Sequence, residues 1–141
     1  MKDIILKERV FNHSIDKVWN AISKQEEIST WFIKADFKAE KGYRYTFFSE
    51  GENCTQISGE VKEATPYSLI YTWEVQNTNV VTTVKWTLTK FQDKTKLYLE
   101  HSGISGYEGQ TAVSMFNSFN AGWDNCVTEL DKFLNSEVYA R

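Results

Sequence analysis

Between Tyr43 and His101 the apolar side chains fall on alternate residues, and many of those sharing a side are aromatic. Alternation sends successive side chains to opposite faces of a strand. Tyr43, Tyr45 and Phe47 oppose Arg44, Thr46 and Phe48; Leu69, Tyr71, Trp73 and Val75 oppose Ser68, Ile70, Thr72 and Glu74. Val84, Trp86 and Leu88 oppose Lys85, Thr87 and Thr89, and Leu97, Leu99 and His101 oppose Lys96, Tyr98 and Glu100. The pattern describes a sheet that is wet on one face and walled with rings on the other. Such a face needs a cover.

The cover is legible further on. After a Gly-rich break, Ser102 to Gly109, the residues Phe116, Phe119, Trp123, Val127, Leu130 and Leu134 recur at three- and four-residue steps. This is the signature of an amphipathic helix, running to about Asn135. A helix of ~25 residues spans ~37 Å, enough to lie across the sheet. Strands are expected at Ile4 to Phe11 and near 33–38, 43–50, 55–64, 68–75, 80–91 and 95–101. Short turn-type segments such as Lys41-Gly42, Thr65-Pro66 and Gln92-Asp93-Lys94 separate most of them, so the pairing should be an antiparallel meander. Between the first two strands, Ser14 offers an N-cap to a helix with Ile15, Val18, Trp19 and Ile22 on its apolar side. A second short helix, about Glu26 to Trp31, should carry Ile28, Trp31 and Phe32 inward.

At 141 residues, with no repeat or composition break, the chain is expected to form one domain, 1–141. Aromatics make up 15% of it, and that excess of rings must be housed in a core or a pocket. Net charge is −3, with acids and bases interspersed as in Lys7-Glu8-Arg9, so no basic stripe exists to hold nucleic acid. No long uncharged apolar run opens the chain, which gives no membrane span and a cytoplasmic expectation. Cys54 and Cys126 belong to no metal-spaced or redox pattern and read as reduced thiols.

The order of elements, a strand, two helices, a six-stranded meander and a long terminal helix, resembles the helix-grip or START-like fold. The segment Phe11-Asn12-His13-Ser14-Ile15-Asp16-Lys17-Val18-Trp19-Asn20-Ala21-Ile22 is similar to one branch's opening strand-to-helix passage. Further marks are Trp31-Phe32, Gly42, Gly59 with Val61, Pro66, Tyr71-Thr72-Trp73, Thr95-Lys96-Leu97, His101-Ser102-Gly103 and Gly122-Trp123. Together they resemble the single-domain bacterial relatives of the C-terminal domain of the heat-shock-protein ATPase activator (Aha-type), in the SRPBCC superfamily. The resemblance implies an α+β fold: a curved antiparallel sheet with two short helices and a long C-terminal helix enclosing an apolar cavity. It leaves function open, because one scaffold serves carriers, receptors, cyclases and co-chaperones. The chain departs from the branch at His13-Ser14, where a Pro usually precedes the first helix.

Residues expected to line the cavity are Tyr45, Phe47, Tyr71, Trp73, Trp86, His101, Phe116, Phe119 and Trp123. Each also has a plainer reading. Trp123 is either core packing or cavity wall, and Gly122 either lets the backbone approach the sheet or leaves room for a ligand. His101 ends the apolar side of its strand near the Gly-rich break. It is either a satisfied structural histidine or a donor and acceptor at the rim. Tyr45, Tyr71 and Trp73 either spend their polar atoms on the backbone or present them to a ligand. No second histidine or acidic cluster accompanies His101 at ligand spacing, so no metal and no cofactor are expected. Ser102-Gly103-Ile104-Ser105-Gly106 has the wrong register for a nucleophile elbow. Binding of a small apolar or aromatic metabolite, or a lipid, is therefore the favoured expectation. A co-chaperone-like module that binds a chaperone or other protein is an alternative, as is a cyclase- or hydratase-type enzyme using the same cavity.

Overall fold

The computed structural model describes residues 4–48, 56–76, 78–107 and 109–139. In chain order its elements are β1 (Ile5–Phe11), α1 (Ile15–Ser23), α2 (Gln25–Trp31), β2 (Lys34–Asp36) and β3 (Arg44–Phe48). They continue as β4 (Gln56–Thr65), β5 (Ser68–Val75), β6 (Val81–Phe91), β7 (Lys94–Ser102), a 3-10 turn (Ile104–Gly106) and α3 (Gly109–Tyr139). The strands form one curved seven-stranded sheet in the order β1-β7-β6-β5-β4-β3-β2, a meander with the first strand added beside the last. β1 and β2 are thus opposite edges, and α1 and α2 carry the chain from one to the other.

Helix α1 starts where the sequence places it, since the Ser14 hydroxyl accepts from the Lys17 N–H at 3.3 Å. The Trp31 indole N–H donates to the Ala21 carbonyl at 2.8 Å and pins α2 against α1. The next ring, Phe32, stacks on Trp31 at 5.3 Å and meets Phe47 and Trp123. α3 extends past the expected end at Asn135 because no Gly or Pro follows to stop it.

The apolar side of α3 presents Ala112, Trp123, Cys126, Val127, Leu130 and Leu134, all buried. Among the described residues its charged fastening is one-sided. Lys7 on β1 bonds Asp124 at 2.8 Å and Asn120 at 2.6 Å, and Arg9 reaches Asp131 at 3.4 Å. The Lys17 ammonium donates to the Leu134 carbonyl at 3.0 Å, and His13 pairs with Asn135 at 3.0 Å. Every one of these partners lies on β1, α1 or the short turn between them.

One break in the sheet ladder is deliberate. Ser58 pairs with Glu74 and Val61 with Tyr71, and a bulge follows at Val61/Glu63. Between these pairs a Cβ on Gly59 would stand 2.1 Å from the Thr72 carbonyl oxygen, so no other residue fits there. Tyr45, the partner of Gly59 across β3–β4, donates its hydroxyl to that same carbonyl at 2.5 Å. The Glu60 N–H donates to the Thr72 hydroxyl at 2.8 Å. An aromatic side chain has taken the place of the missing one and satisfied the interrupted backbone.

Candidate ligand groove

The polar heart of the core is a chain of three side chains and one carbonyl. The Trp123 indole N–H, a donor only, meets His101 Nδ1 at 2.9 Å. Nδ1 is therefore the bare nitrogen and the ring proton sits on Nε2. Nε2 donates to the Thr82 hydroxyl at 2.6 Å, and that hydroxyl donates onward to the Trp73 carbonyl at 3.2 Å. His101 has no exposed surface, and burial lowers its pKa to about 4. It lies in the interior, not at a rim, and both ring nitrogens are spent.

Around it the rings interlock. Trp73 lies 5.2 Å from Trp123 and 5.5 Å from His101, and Phe119 stacks on His101 at 4.7 Å. Trp86 meets Trp123 edge-on at 5.8 Å while its N–H donates to the Tyr71 hydroxyl at 2.9 Å. Burial raises the pKa of both Tyr71 and Tyr45, so neither phenol ionises near neutrality. The Trp73 indole N–H, also buried, has no hydrogen-bond partner among the described residues.

Apolar space survives on one side of α3. A groove of about 160 Å³ is lined by Phe32 and Ile33 after α2, Ile57 on β4, Trp73 on β5, and Ser118, Phe119, Gly122 and Trp123 on α3. None of these side chains is charged. A Cβ on Gly122 would meet open space, so this glycine does not serve a close backbone approach; it keeps the wall low. A much smaller space of about 10 Å³ lies under α1 and α2, among Phe47, Tyr71, Trp86 and their neighbours. A broader hollow of about 520 Å³ lies over β1, β7 and β6, where Lys7, Glu8, Lys85 and Glu100 alternate with Leu6, Thr87, Tyr98 and Leu99.

Of the nine residues expected to line a cavity, the groove brings together Trp73, Phe119 and Trp123. Phe47, Tyr71 and Trp86 line the small space under α1 and α2. Tyr45 is committed to the Thr72 carbonyl and His101 to Thr82 and Trp123. Phe116 packs half-buried against the core without lining the groove. Sequence reasoning missed Ile33, Ile57 and Ser118, and carried Phe32 inward without giving it a wall. Ile57 was readable, since it shares alternation with Gly59 and Val61. Thr82 likewise sits two residues before Val84 on the buried side of β6, yet its hydroxyl role had no signal. Of the two cysteines, Cys126 is a buried free thiol and Cys54 lies outside the described residues. Among the described residues no group of acidic, histidine or cysteine side chains could hold a metal ion, and no helix is long and apolar enough to cross a membrane.

A family model described as Activator of Hsp90 ATPase homolog 1-like protein matches residues 12–135. The chain belongs to this family. The match runs from the turn before α1 to the last turns of α3 and so takes in the whole groove. No curated protein is significantly similar in sequence. Among solved structures, protein MLL2253 from Mesorhizobium loti superposes with a TM-score of 0.83 at 25% identity, covering 94% of this chain and 97% of that one. Protein BH1534 from Bacillus halodurans gives 0.76 at 28% identity, covering 95% and 97%. DynU16, a protein of the dynemicin biosynthetic locus, gives 0.82 at 22% identity, covering 97% of this chain and 49% of that one. The helix-grip architecture of the family is thus the fold of this member.

Proposed function

We propose that this protein binds a small, flat, apolar or aromatic molecule in the groove between α3 and the sheet. The observation that carries the reading is an uncharged, ring-lined groove left open by a glycine whose Cβ would meet nothing. Rings interdigitate elsewhere in the core, and the space they leave under α1 and α2 is only about 10 Å³. Ligand pockets are mostly apolar with few polar groups, and usual volumes are ~300–1,000 Å³. At about 160 Å³ the groove suits one or two fused rings and not a long lipid chain. The buried thiol of Cys126 is consistent with a cytoplasmic setting.

The test is titration with a bicyclic aromatic, following tryptophan emission and thermal unfolding. Binding should quench emission and raise the melting temperature with ligand, by ~2.7 kcal/mol of stability at a hundredfold excess over Kd. Gly122→Val, which walls the groove, should remove both effects while remaining folded. A wild type that binds no such compound would overturn the reading and turn attention to protein recognition, the alternative that family membership supports.

A further inference from the structure

We propose that Trp73 is the specificity contact of the groove, donating its indole N–H to an uncharged acceptor, a ring carbonyl or ring nitrogen, on a one- or two-ring aromatic ligand. This rests on the groove being a binding site and adds the chemistry of what it selects.

Three other buried indoles each have a protein acceptor: Trp31 has the Ala21 carbonyl, Trp86 the Tyr71 hydroxyl and Trp123 the imidazole of His101. Trp73 is equally buried, at 4% exposure, and its N–H has none among the described residues. Native cores rarely leave such a donor orphaned, and an exception calls for a function or a missing partner. His101 beside the Trp73 ring and Thr82 across the strand pair are already bonded to other groups. Both nitrogens of His101 are taken, and the Thr82 hydroxyl gives its proton to the carbonyl of Trp73 itself.

The rest of the groove defines the remaining chemistry. Its lining has no cation to balance a carboxylate and no anion to hold an amine, so the ligand is neutral. An indole N–H only donates, so the ligand accepts. The acceptor approaches the Trp73 N–H from the groove that Trp73 and Phe119 both line, their rings edge-on at 6.3 Å. An apolar ring without an acceptor enters the same groove and leaves the donor unsatisfied.

Indane and 1-indanone share a skeleton and differ by one carbonyl oxygen, and indane is the more hydrophobic. Both are titrated into the intact protein, wild type and Trp73→Phe, with Kd read from the indole ¹H–¹⁵N resonances and the Gly122 amide. The expected result is that the indanone-to-indane affinity ratio drops about tenfold on Trp73→Phe, in line with the loss of one buried hydrogen bond. In the wild type the Trp73 indole proton should move downfield with indanone and not with indane. That resonance decides the matter even if the variant fails to fold. Binding of both compounds with an unchanged ratio, or with the indole proton unmoved, overturns the proposal while leaving the groove a binding site. Tighter binding of indane-2-carboxylate than of 1-indanone overturns its neutral-ligand clause. If neither neutral compound perturbs Gly122 or Trp73, the groove reading falls and the proposal with it.

Discussion

The indole N–H of Trp123 points at Nδ1 of His101 from 2.9 Å, and this one bond fixes where the imidazole proton resides. A second proton would have to occupy Nδ1, facing a group that can only donate. The groups packed around the ring, Trp73, Phe119, Trp123 and Thr82, carry no charge to offset an imidazolium. Burial does the rest. The histidine is a structural joint between sheet and terminal helix.

Its protonation should therefore oppose folding. Between the folded pKa of about 4 and the ordinary 6.5, the unfolded chain binds a proton that the folded one refuses. Stability from this residue is complete above pH 6.5 and declines as the pH falls toward 4, by up to ~3 kcal/mol. Urea unfolding at stepped pH, with an imidazole NMR titration, measures both quantities. A His101 that titrates near 6.5 in the native protein would sink the prediction.

Trp123→Ala should be among the most damaging single changes, at ~3–5 kcal/mol, because the ring is 3% exposed and touches Trp73, Trp86, Phe32 and His101. Trp123→Phe keeps part of the ring contact but orphans Nδ1, so it should cost less and raise the pKa of His101. A melting temperature for the alanine variant within a degree of wild type would contradict the packing described.

Two glycines should respond in opposite directions. Gly59→Ala drives a Cβ to 2.1 Å from the Thr72 carbonyl oxygen and should cost ~3 kcal/mol or more. Gly122→Ala meets open space on a helix and should stabilise by up to ~1 kcal/mol. Thermal unfolding of the two variants suffices; the same sign for both would refute the geometry.

Cys126 is 3% exposed and burial raises its pKa, so the folded protein should shield it from thiol reagents. In a Cys54→Ala background, its labelling rate should follow opening of α3 and slow when ligand binds. Rapid labelling of the native protein would show that the helix is loose.

The architecture was legible because each element carried its own period: two along the strands, three to four along α3, with Ser14 marking a helix start. The ring wall was legible for the same reason. The groove was not. Alternation assigns a residue to a face but cannot say how rings from two elements fill the space between them. Tyr45 shows the limit: its inward side was readable, whereas its hydroxyl is used by a carbonyl that only the break at Gly59 makes available. Likewise His101 was placed on the correct side of β7, but its depth depends on Trp123 coming down from a helix far along the chain.

The one-sided placing of the charged bonds of α3 makes traffic and cohesion answer to different conditions. A molecule passing over Gly122 crosses only uncharged side chains and severs no ion pair. Lys7, Arg9 and Lys17 hold the far side through charge-bearing bonds to Asp124, Asp131 and the Leu134 carbonyl. Dissolved salt screens those bonds and leaves the groove untouched. Guest exchange should thus be indifferent to ionic strength over a range in which the lifting of the helix from β1 accelerates, giving the protein a door and a hinge with separate sensitivities.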